Sequence, residues 1–254
     1  MAEFDGTRGG MFADHGPAIE VDHLDINSAF PLPDYGPSAP SGRAGNAPVV
    51  VEPNKIENVI PCFTPNTLIA TPKGERKVGA LAVGDRIITR DNGIQEIRWL
   101  GERAYSRGEL ARAPHLSPVL IRAGALGDGL PEQDMIVSPN HRILVSNDKT
   151  ALYFDEREVL VSAKYLVGLN GVETVEAPRV TYVHFMFQHH EVVLSDGAWT
   201  ESFQPGDQSL AGLGNAQRLE IFEIFPELDS ESGVTSYHSA RRSLKKHEAK
   251  IVLF

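Results

Sequence analysis

The pattern of hydrophobic and polar positions in this chain changes near Ile56. From there on, short apolar or alternating runs are separated by turn residues, and few segments show a helical period. Short runs bounded by Gly, Asn, Asp and Pro are typical of strands that are joined by hairpins. The pattern therefore predicts an all-β domain over residues 56–206.

Turn signals locate the predicted strand pairs. Asn-Gly and Asp-Gly pairs supply the positive φ angles that tight hairpin turns need. The predicted strands and turns are Thr67–Ala70 before the turn Thr71–Gly74, Arg86–Arg90 and Ile94–Leu100 around Asp91–Gly93, Tyr165–Leu169 and Val172–Val175 around Asn170-Gly171, and Glu191–Leu194 and Trp199–Phe203 around Asp196-Gly197. Residues 106–131, rich in Gly, Ala and Pro, are predicted to be a long loop or an insertion between strands.

The two ends of the chain differ from this central part. In residues 1–55, Gly and Pro recur too often for a regular element to lengthen, so we expect a disordered acidic tail. Residues 207–254 are predicted to form a C-terminal extension with a strand at Arg218–Phe225 and a short basic helix over Ser239–Val252, capped by Ser239. A solvated face is the simpler interpretation of that basic helix, and a partner-binding role is the alternative.

Composition and charge exclude several classes of protein. The chain has 254 residues and a formal net charge of −10, which argues against a general nucleic-acid binder, because such a protein neutralises phosphates. No apolar run approaches the roughly 20 residues of a transmembrane helix, and Met1–Gly10 show no secretory signal peptide. There is a single cysteine, Cys62, so we expect no intrachain disulfide.

The neighbourhood of Cys62 contains the most specific motif of the chain. Cys62 is followed by a short turn, then by Thr67–Ala70 and Val83-Gly84-Asp85. Further blocks follow in order, namely Val137–Leu144 with its Ser-x-x-His, Leu160–Leu166, Tyr182–Val193 and Gly197–Phe203. Together they resemble the Hint (hedgehog/intein) domains, and in particular their bacterial branch.

This resemblance implies a fold, an activity and a site. The fold would be the flattened, horseshoe-like Hint fold of short antiparallel strands. The activity would be autoproteolysis by an N–S acyl shift, in which Cys62 attacks the carbonyl of Pro61 and forms a thioester. By the same resemblance, His141 protonates the leaving nitrogen, Ser138 hydrogen-bonds the scissile amide, and His190 assists thioester formation or the later step. A histidine that is near its pKa at neutral pH suits such proton transfers.

The resemblance also indicates partners. The substrate would be the chain's own N-terminal segment, and water, an external nucleophile or a sterol would resolve the thioester. No cofactor is expected. A zinc site is an alternative for the three histidines His184, His189 and His190, but no matching cysteine or carboxylate spacing accompanies them. For His184 we expect a structural role. The oligomeric state and the compartment stay open, although the bacterial relatives favour an exported protein without a cleaved signal.

Two departures from the family pattern limit the chemistry. Splicing inteins end in His-Asn before a Cys, Ser or Thr, whereas the matching stretch here is Thr200–Phe203, without Asn, so protein splicing is not expected. Pro61 has a restricted φ and a crowded carbonyl, which should slow the shift. The alternative is therefore a catalytically dormant Hint-like module with a binding or structural role in a secreted or surface-associated bacterial protein. A trans-acting cysteine hydrolase is a third reading, for which no Cys/His/Asn spacing is found.

Overall fold

A computed structural model describes residues 60–253 of the chain, and the expected disordered tail, residues 1–55, lies outside them. The strands are β1 (Leu68–Thr71), β2 (Gly74–Lys77), β3 (Arg86–Ile88), β4 (Ile94–Glu96), β5 (Trp99–Ser106), β6 (Val119–Ile121), β7 (Met135–Val137), β8 (Arg142–Val145), β9 (Val159–Ser162), β10 (Val172–Thr174), β11 (Arg179–Met186), β12 (Val192–Ser195), β13 (Ala198–Glu201) and β14 (Arg242–Ser243). The α-helices are α1 (Arg107–Arg112), α2 (Asp148–Phe154), α3 (Ala163–Leu166), α4 (Asp207–Gly212), α5 (Asn215–Ile224), α6 (Glu231–Ser236) and α7 (Lys246–Leu253).

Antiparallel strand pairing dominates, which confirms the prediction of an all-β domain. The largest sheet has seven strands in the order β14-β9-β8-β13-β12-β1-β2. Its edge pair, β14 with β9, is parallel, and its other pairs are antiparallel. Smaller sheets have the orders β10-β6-β7, β11-β5 and β3-β4. The long pair β11-β5 carries residues of the candidate site.

Three of the predicted turns are confirmed. Strands β1 and β2, β3 and β4, and β12 and β13 form antiparallel pairs on either side of the turn signals. At the last of these turns Asp196 and Gly197 both have positive φ, 46° and 79°, as a two-residue hairpin turn requires. The second hairpin is shorter than predicted, because Trp99 and Leu100 belong to β5 and pair with β11.

The predicted hairpin around Asn170-Gly171 is wrong. Ala163–Leu166 forms one helical turn that buries Ala163 and Leu166, and β10 pairs with β6 instead. The supposed loop of residues 106–131 therefore contains a strand at the centre of a sheet. It also contains α1, which begins with a capping box between Ser106 and Glu109.

Two predictions for the extension also need correction. Arg218–Phe225 is not a strand, because Asn215–Ile224 is helical and buries Ile221. Phe225, which caps the C-terminal end of this helix, is buried as well. The terminal helix exists but begins at Lys246, and Ser239 does not cap it. No helix in the described part of the chain is long and apolar enough to cross a membrane.

The C-terminal extension contributes to the core. One cluster of buried apolar residues includes Cys62, Trp99 and Tyr182. The extension adds to this cluster Leu210, Leu213, Ile221, Phe225, Leu228 and Tyr237. Because burial of apolar surface stabilises a fold by about 25 cal/mol per Å², these helices help to hold the surroundings of Cys62. The boundary that we predicted at residue 206, between the Hint domain and the C-terminal extension, stays a prediction.

Candidate active site around Cys62

Cys62 and Phe63 lie between two strands. Phe63 forms antiparallel bridges with Val137 and with Val183, and the amide of Phe63 donates to the carbonyl of Val183 at 2.8 Å. Successive side chains of an extended segment point to opposite sides. Accordingly, Phe63 packs in one apolar cluster, whereas the Cys62 side chain lies in the cluster of Trp99.

The Cys62 thiol is buried, with the residue 3% exposed. Its Sγ donates to the carbonyl of Ile60 at 3.2 Å and lies 3.5 Å from Nδ1 of His184. Burial raises the pKa of the Cys62 thiol well above its usual range. The resting thiol is therefore protonated at neutral pH, and an attack by its sulfur requires a nearby base.

Ser138 holds the peptide bond between Pro61 and Cys62. The amide of Cys62 donates to Ser138 Oγ at 2.8 Å, and the Ser138 hydroxyl donates to the carbonyl of Ile60, also at 2.8 Å. This is the contact that the family resemblance implies for Ser138. Among the described residues no backbone amide donates to the Pro61 carbonyl oxygen.

His141 is buried near Ser138, but its ring makes no hydrogen bond to the scissile amide. Within residues 60–253 neither ring nitrogen has a hydrogen-bond partner, and the ring packs edge-on against Phe63, with centroids 4.3 Å apart. Burial lowers the pKa of His141 to about 4. A buried polar group without a partner is rare in native proteins and is costly, so a functional reason for this histidine is worth testing.

His184 is the histidine that lies beside the thiol. Its ring packs against those of Trp99 and Phe203, with centroids 5.1 Å and 5.6 Å away, and burial lowers its pKa to about 3. A Cβ atom on Gly101, its partner across the β5-β11 pair, would come within 2.8 Å of His184 Nε2. The glycine thus leaves room for the ring. From sequence we expected a structural role, whereas contact with the thiol makes His184 a candidate catalytic residue.

His190 is engaged elsewhere, outside hydrogen-bond distance of the thiol. Its Nδ1 accepts from the amide of Ala240 at 3.0 Å, so the ring proton is on Nε2. That nitrogen faces the Ser202 carbonyl at 3.2 Å and the Glu201 carboxylate at 3.4 Å. A direct role in thioester formation is therefore not supported by these contacts, and the assignment of His190 stays a prediction.

Glu201 is a charged residue at the centre of the domain that the sequence analysis did not assign to the site. It is fully buried, and Oε2 accepts from Nη1 of Arg142 at 2.8 Å. Burial alone would raise the pKa of Glu201, but Arg142 and His190 outweigh that effect and lower it. Arg142, Glu201 and His190 thus form a buried polar network. No group of three His, Cys, Asp or Glu side chains in the described region is arranged to hold a metal ion.

The two neutral histidines should make the fold sensitive to acid. His184 and His141 have folded-state pKa values of about 3 and about 4, both below the ~6.5 of an unfolded chain. Between these values the unfolded chain binds protons that the folded chain does not. Each histidine therefore contributes stability that is complete above pH ~6.5 and is lost as the pH falls toward the folded-state pKa.

We expect each histidine to lower the free energy of unfolding by about 2 kcal/mol between pH 8 and pH 5. Asp196 offsets part of this loss, because burial raises its pKa to about 6 and its contribution has the opposite sign. Urea denaturation at both pH values measures the difference. His184→Asn should remove about 2 kcal/mol of the stability difference between the two pH values. An unchanged difference in this variant would show that the pKa of His184 is not lowered in the folded chain.

A family model described as Hint domain matches residues 61–207, more than half of the chain. The structure is similar to the gp41-1 intein, with 12% identity, 55% of this chain and 97% of that chain covered, and a TM-score of 0.33. It is also similar to a bacterial intein-like domain from Clostridium thermocellum, with 14% identity, 56% and 97% covered, and a TM-score of 0.37. No curated protein matches the chain.

Proposed function

The chain belongs to the Hint domain family, a family of self-processing domains, and from this premise we propose that it cleaves its own backbone between Pro61 and Cys62. The proposed reaction is an N–S acyl shift. It does not lead to splicing, because Thr200–Phe203 contains no asparagine that could cyclise and free a C-terminal segment. The substrate is the segment that ends at Pro61.

One observation carries this proposal. The nitrogen of the scissile amide is bound to Ser138 Oγ at 2.8 Å, and the sulfur of the same cysteine has a neutral imidazole, His184, at 3.5 Å. The nucleophile, a base for its proton and a holder of the leaving nitrogen therefore meet at one buried peptide bond. Fixing these groups in advance removes much of the entropy cost of the reaction.

The first step transfers the acyl group of Pro61 from nitrogen to sulfur. Sγ of Cys62 attacks the carbonyl carbon of Pro61, so that a C–S bond forms and the amide C–N bond breaks. The thiol proton passes to His184, and the nitrogen of Cys62 gains a proton and becomes a free amine. His141 is neutral, because burial lowers its pKa to about 4, so it is proposed to relay the thiol proton from His184 to that nitrogen. It takes up a proton at one ring nitrogen and gives up the proton of the other, and neither ring nitrogen has another partner among the described residues. Overall no proton is gained or lost.

The same geometry explains why this step should be slow. The Pro61 carbonyl oxygen accepts from no backbone amide of the described residues, whereas a preorganised donor is worth on the order of 3 kcal/mol to an oxyanion. The high pKa of the thiol means that thiolate is scarce at neutral pH. These observations favour a dormant Hint-like module as the second candidate function. They disfavour a trans-acting hydrolase, because an added substrate could not reach a thiol that is almost completely buried.

Incubation of the full chain with hydroxylamine separates the two candidates. We expect two fragments that meet at Pro61 and Cys62, detected by intact mass, and no such cut in Cys62→Ala, because that variant has no sulfur to accept the acyl group. Hydroxylamine can also cut Asn-Gly bonds, here after Asn92 and Asn170, and those cuts would appear in both proteins. A wild-type chain that stays uncut at Cys62 would leave the dormant module as the function.

A further inference from the structure

A cavity of about 330 Å³ borders Pro61, the acyl donor of the proposed reaction. It is distinct from the small space beside the thiol, about 10 Å³, which borders Cys62 and His184 and shares no lining residue with it. The small space holds about one water molecule. The larger cavity is within the size range of sites for small organic molecules. Of these two spaces, the larger one has room for a small organic molecule next to Pro61, and the smaller one does not.

The lining of this larger cavity is cationic. Arg142, Lys164 and Lys245 contribute side chains, and no aspartate or glutamate lines the cavity. Arg142 is paired with Glu201, but in the described part of the chain no acidic group lies within ion-pair distance of either lysine. The Lys164 ammonium lies 5.2 Å from the ring centroid of Tyr165. Both lysines are exposed, and the Glu248 carboxylate accepts from the backbone amide of Lys245 at 2.7 Å. In a chain whose net charge is −10, two lysine ammonium groups at one cavity, with no acidic side chain of the described residues within ion-pair distance, favour an anionic ligand.

The C-terminal extension builds one wall of the cavity. It contributes Ser209, Ser243 and Lys245, whereas the other wall comes from the ends of β8 and β9 and from α3. The extension is fixed there because β14 pairs with β9, and the amide of Leu244 donates to the carbonyl of Leu160 at 2.9 Å. The lysines of the two walls are thus held around the same space, next to the scissile residue.

We propose that this cavity binds the nucleophile that resolves the Pro61 thioester, and that this nucleophile is a small thiol or amine carrying an anionic group. The inference rests on the proposed function. The sulfur or nitrogen of the nucleophile attacks the carbonyl carbon of Pro61, a new bond forms there, and the bond to Cys62 Sγ breaks. The sulfur of Cys62 leaves with the electron pair and takes the proton of the nucleophile. Lys164 and Lys245 attract the anionic group and raise the local concentration of the nucleophile.

Two thiols of similar size test this inference on the full chain. Mercaptoethanesulfonate carries an anionic group and mercaptoethanol does not, and their cleavage rates at Cys62 are compared at equal thiolate concentration. We expect the anionic thiol to react roughly fivefold faster in the wild type at low salt, since one favourable charge contact is worth about 1 kcal/mol. The preference should shrink as salt is added.

The double variant Lys164→Gln/Lys245→Gln should bring the ratio of the two rates close to one. Because the ratio is taken within each protein, a general loss of folded material does not affect it. The matched control, Lys73→Gln/Lys250→Gln, removes the same charge from two lysines that are likewise exposed but do not line the cavity, and it should keep the wild-type ratio.

The outcomes separate the two proposals. Cleavage at Cys62 by hydroxylamine without a preference for the anionic thiol would overturn the cavity assignment and leave the proposed function standing. An equal loss of preference in the pocket variant and in the control variant would also overturn it. Failure of every nucleophile to cleave the wild type at Cys62 would overturn the proposed function, and this inference with it.

Discussion

Replacement of His184 by asparagine should slow the hydroxylamine-dependent cleavage at Cys62 by roughly 10²-fold, the low end of the contribution of a positioned general base, because burial lowers the pKa of His184 to about 3 and weakens it as a base. The burial that raises the thiol pKa makes a base necessary, and His184 Nδ1, at 3.5 Å, is the nitrogen in contact with the sulfur. Asparagine keeps a hydrogen-bonding group near that position but cannot accept the proton. The rates are measured by intact mass on the full chain at neutral pH.

Two further variants make this test specific. His189→Asn changes an exposed neighbouring histidine and should leave the rate unchanged. Gly101→Ala should slow cleavage without removing any titratable group, because its Cβ would meet both His184 Nε2 and the Trp99 ring at less than 3 Å and displace the imidazole. If His184→Asn cleaves at the wild-type rate, His184 is not the base for the thiol.

Replacement of Glu201 by alanine should lower the free energy of unfolding by about 3 kcal/mol. The variant leaves the Arg142 guanidinium and the ring N–H of His190 without their carboxylate partner. It also removes the acceptor for the Arg142 amide, which donates to Glu201 Oε1 at 2.9 Å. We place the value at the low end of the range for broken buried ion pairs, since the Arg142 side chain is 27% exposed and can be partly hydrated.

Urea denaturation at pH 7 checks this value against two controls. Glu201→Gln keeps the size and one acceptor, so it should cost less than the alanine variant. Glu173→Ala breaks an exposed ion pair with Arg122, whose side chains are 53% and 54% exposed, and should change the stability by less than about 1 kcal/mol. A Glu201→Ala loss no larger than that of Glu173→Ala would show that the buried network contributes little.

The fold could be predicted from the sequence because its signals are local. The Asp196-Gly197 turn and the blocks that begin at Cys62 were enough to identify the all-β Hint fold, which the family match confirms. Local signals failed where a short apolar run is compatible with a strand and with a helix. Residues 218–225 contain several apolar side chains without strict alternation, and such a run can be a strand or a buried helix. The folded chain shows a helix here, α5, which buries Ile221 and ends before the buried Phe225.

The site depends on long-range pairing, which the sequence does not contain. Alternation along β11 places Tyr182, His184 and Met186 on one face, but which of the two faces meets Cys62 depends on the bridge between Phe63 and Val183. A shift of that bridge by one residue would turn His184 away from the thiol. For this reason sequence analysis favoured the motif histidines and gave His184 a structural role.

Glu201 was missed for a related reason. A charged residue in a strand suggests a solvent-facing position, because buried carboxylates are costly unless they are paired. Its partners come from distant parts of the chain, Arg142 at the start of β8 and His190 before β12. Only the folded structure shows that Glu201 is buried and that its carboxylate is paired with Arg142 and His190.

The most direct test of the central claim, that Cys62 takes the acyl group of Pro61, is the chemical identity of the released N-terminal fragment. After treatment of the full chain with hydroxylamine, the mass of the fragment that ends at Pro61 should correspond to a C-terminal hydroxamate, because hydroxylamine captures a thioester at that carbonyl. The second fragment should begin with Cys62, and Cys62→Ala should yield neither product. A fragment with an ordinary carboxylate at another position, or the same hydroxamate in Cys62→Ala, would contradict the account.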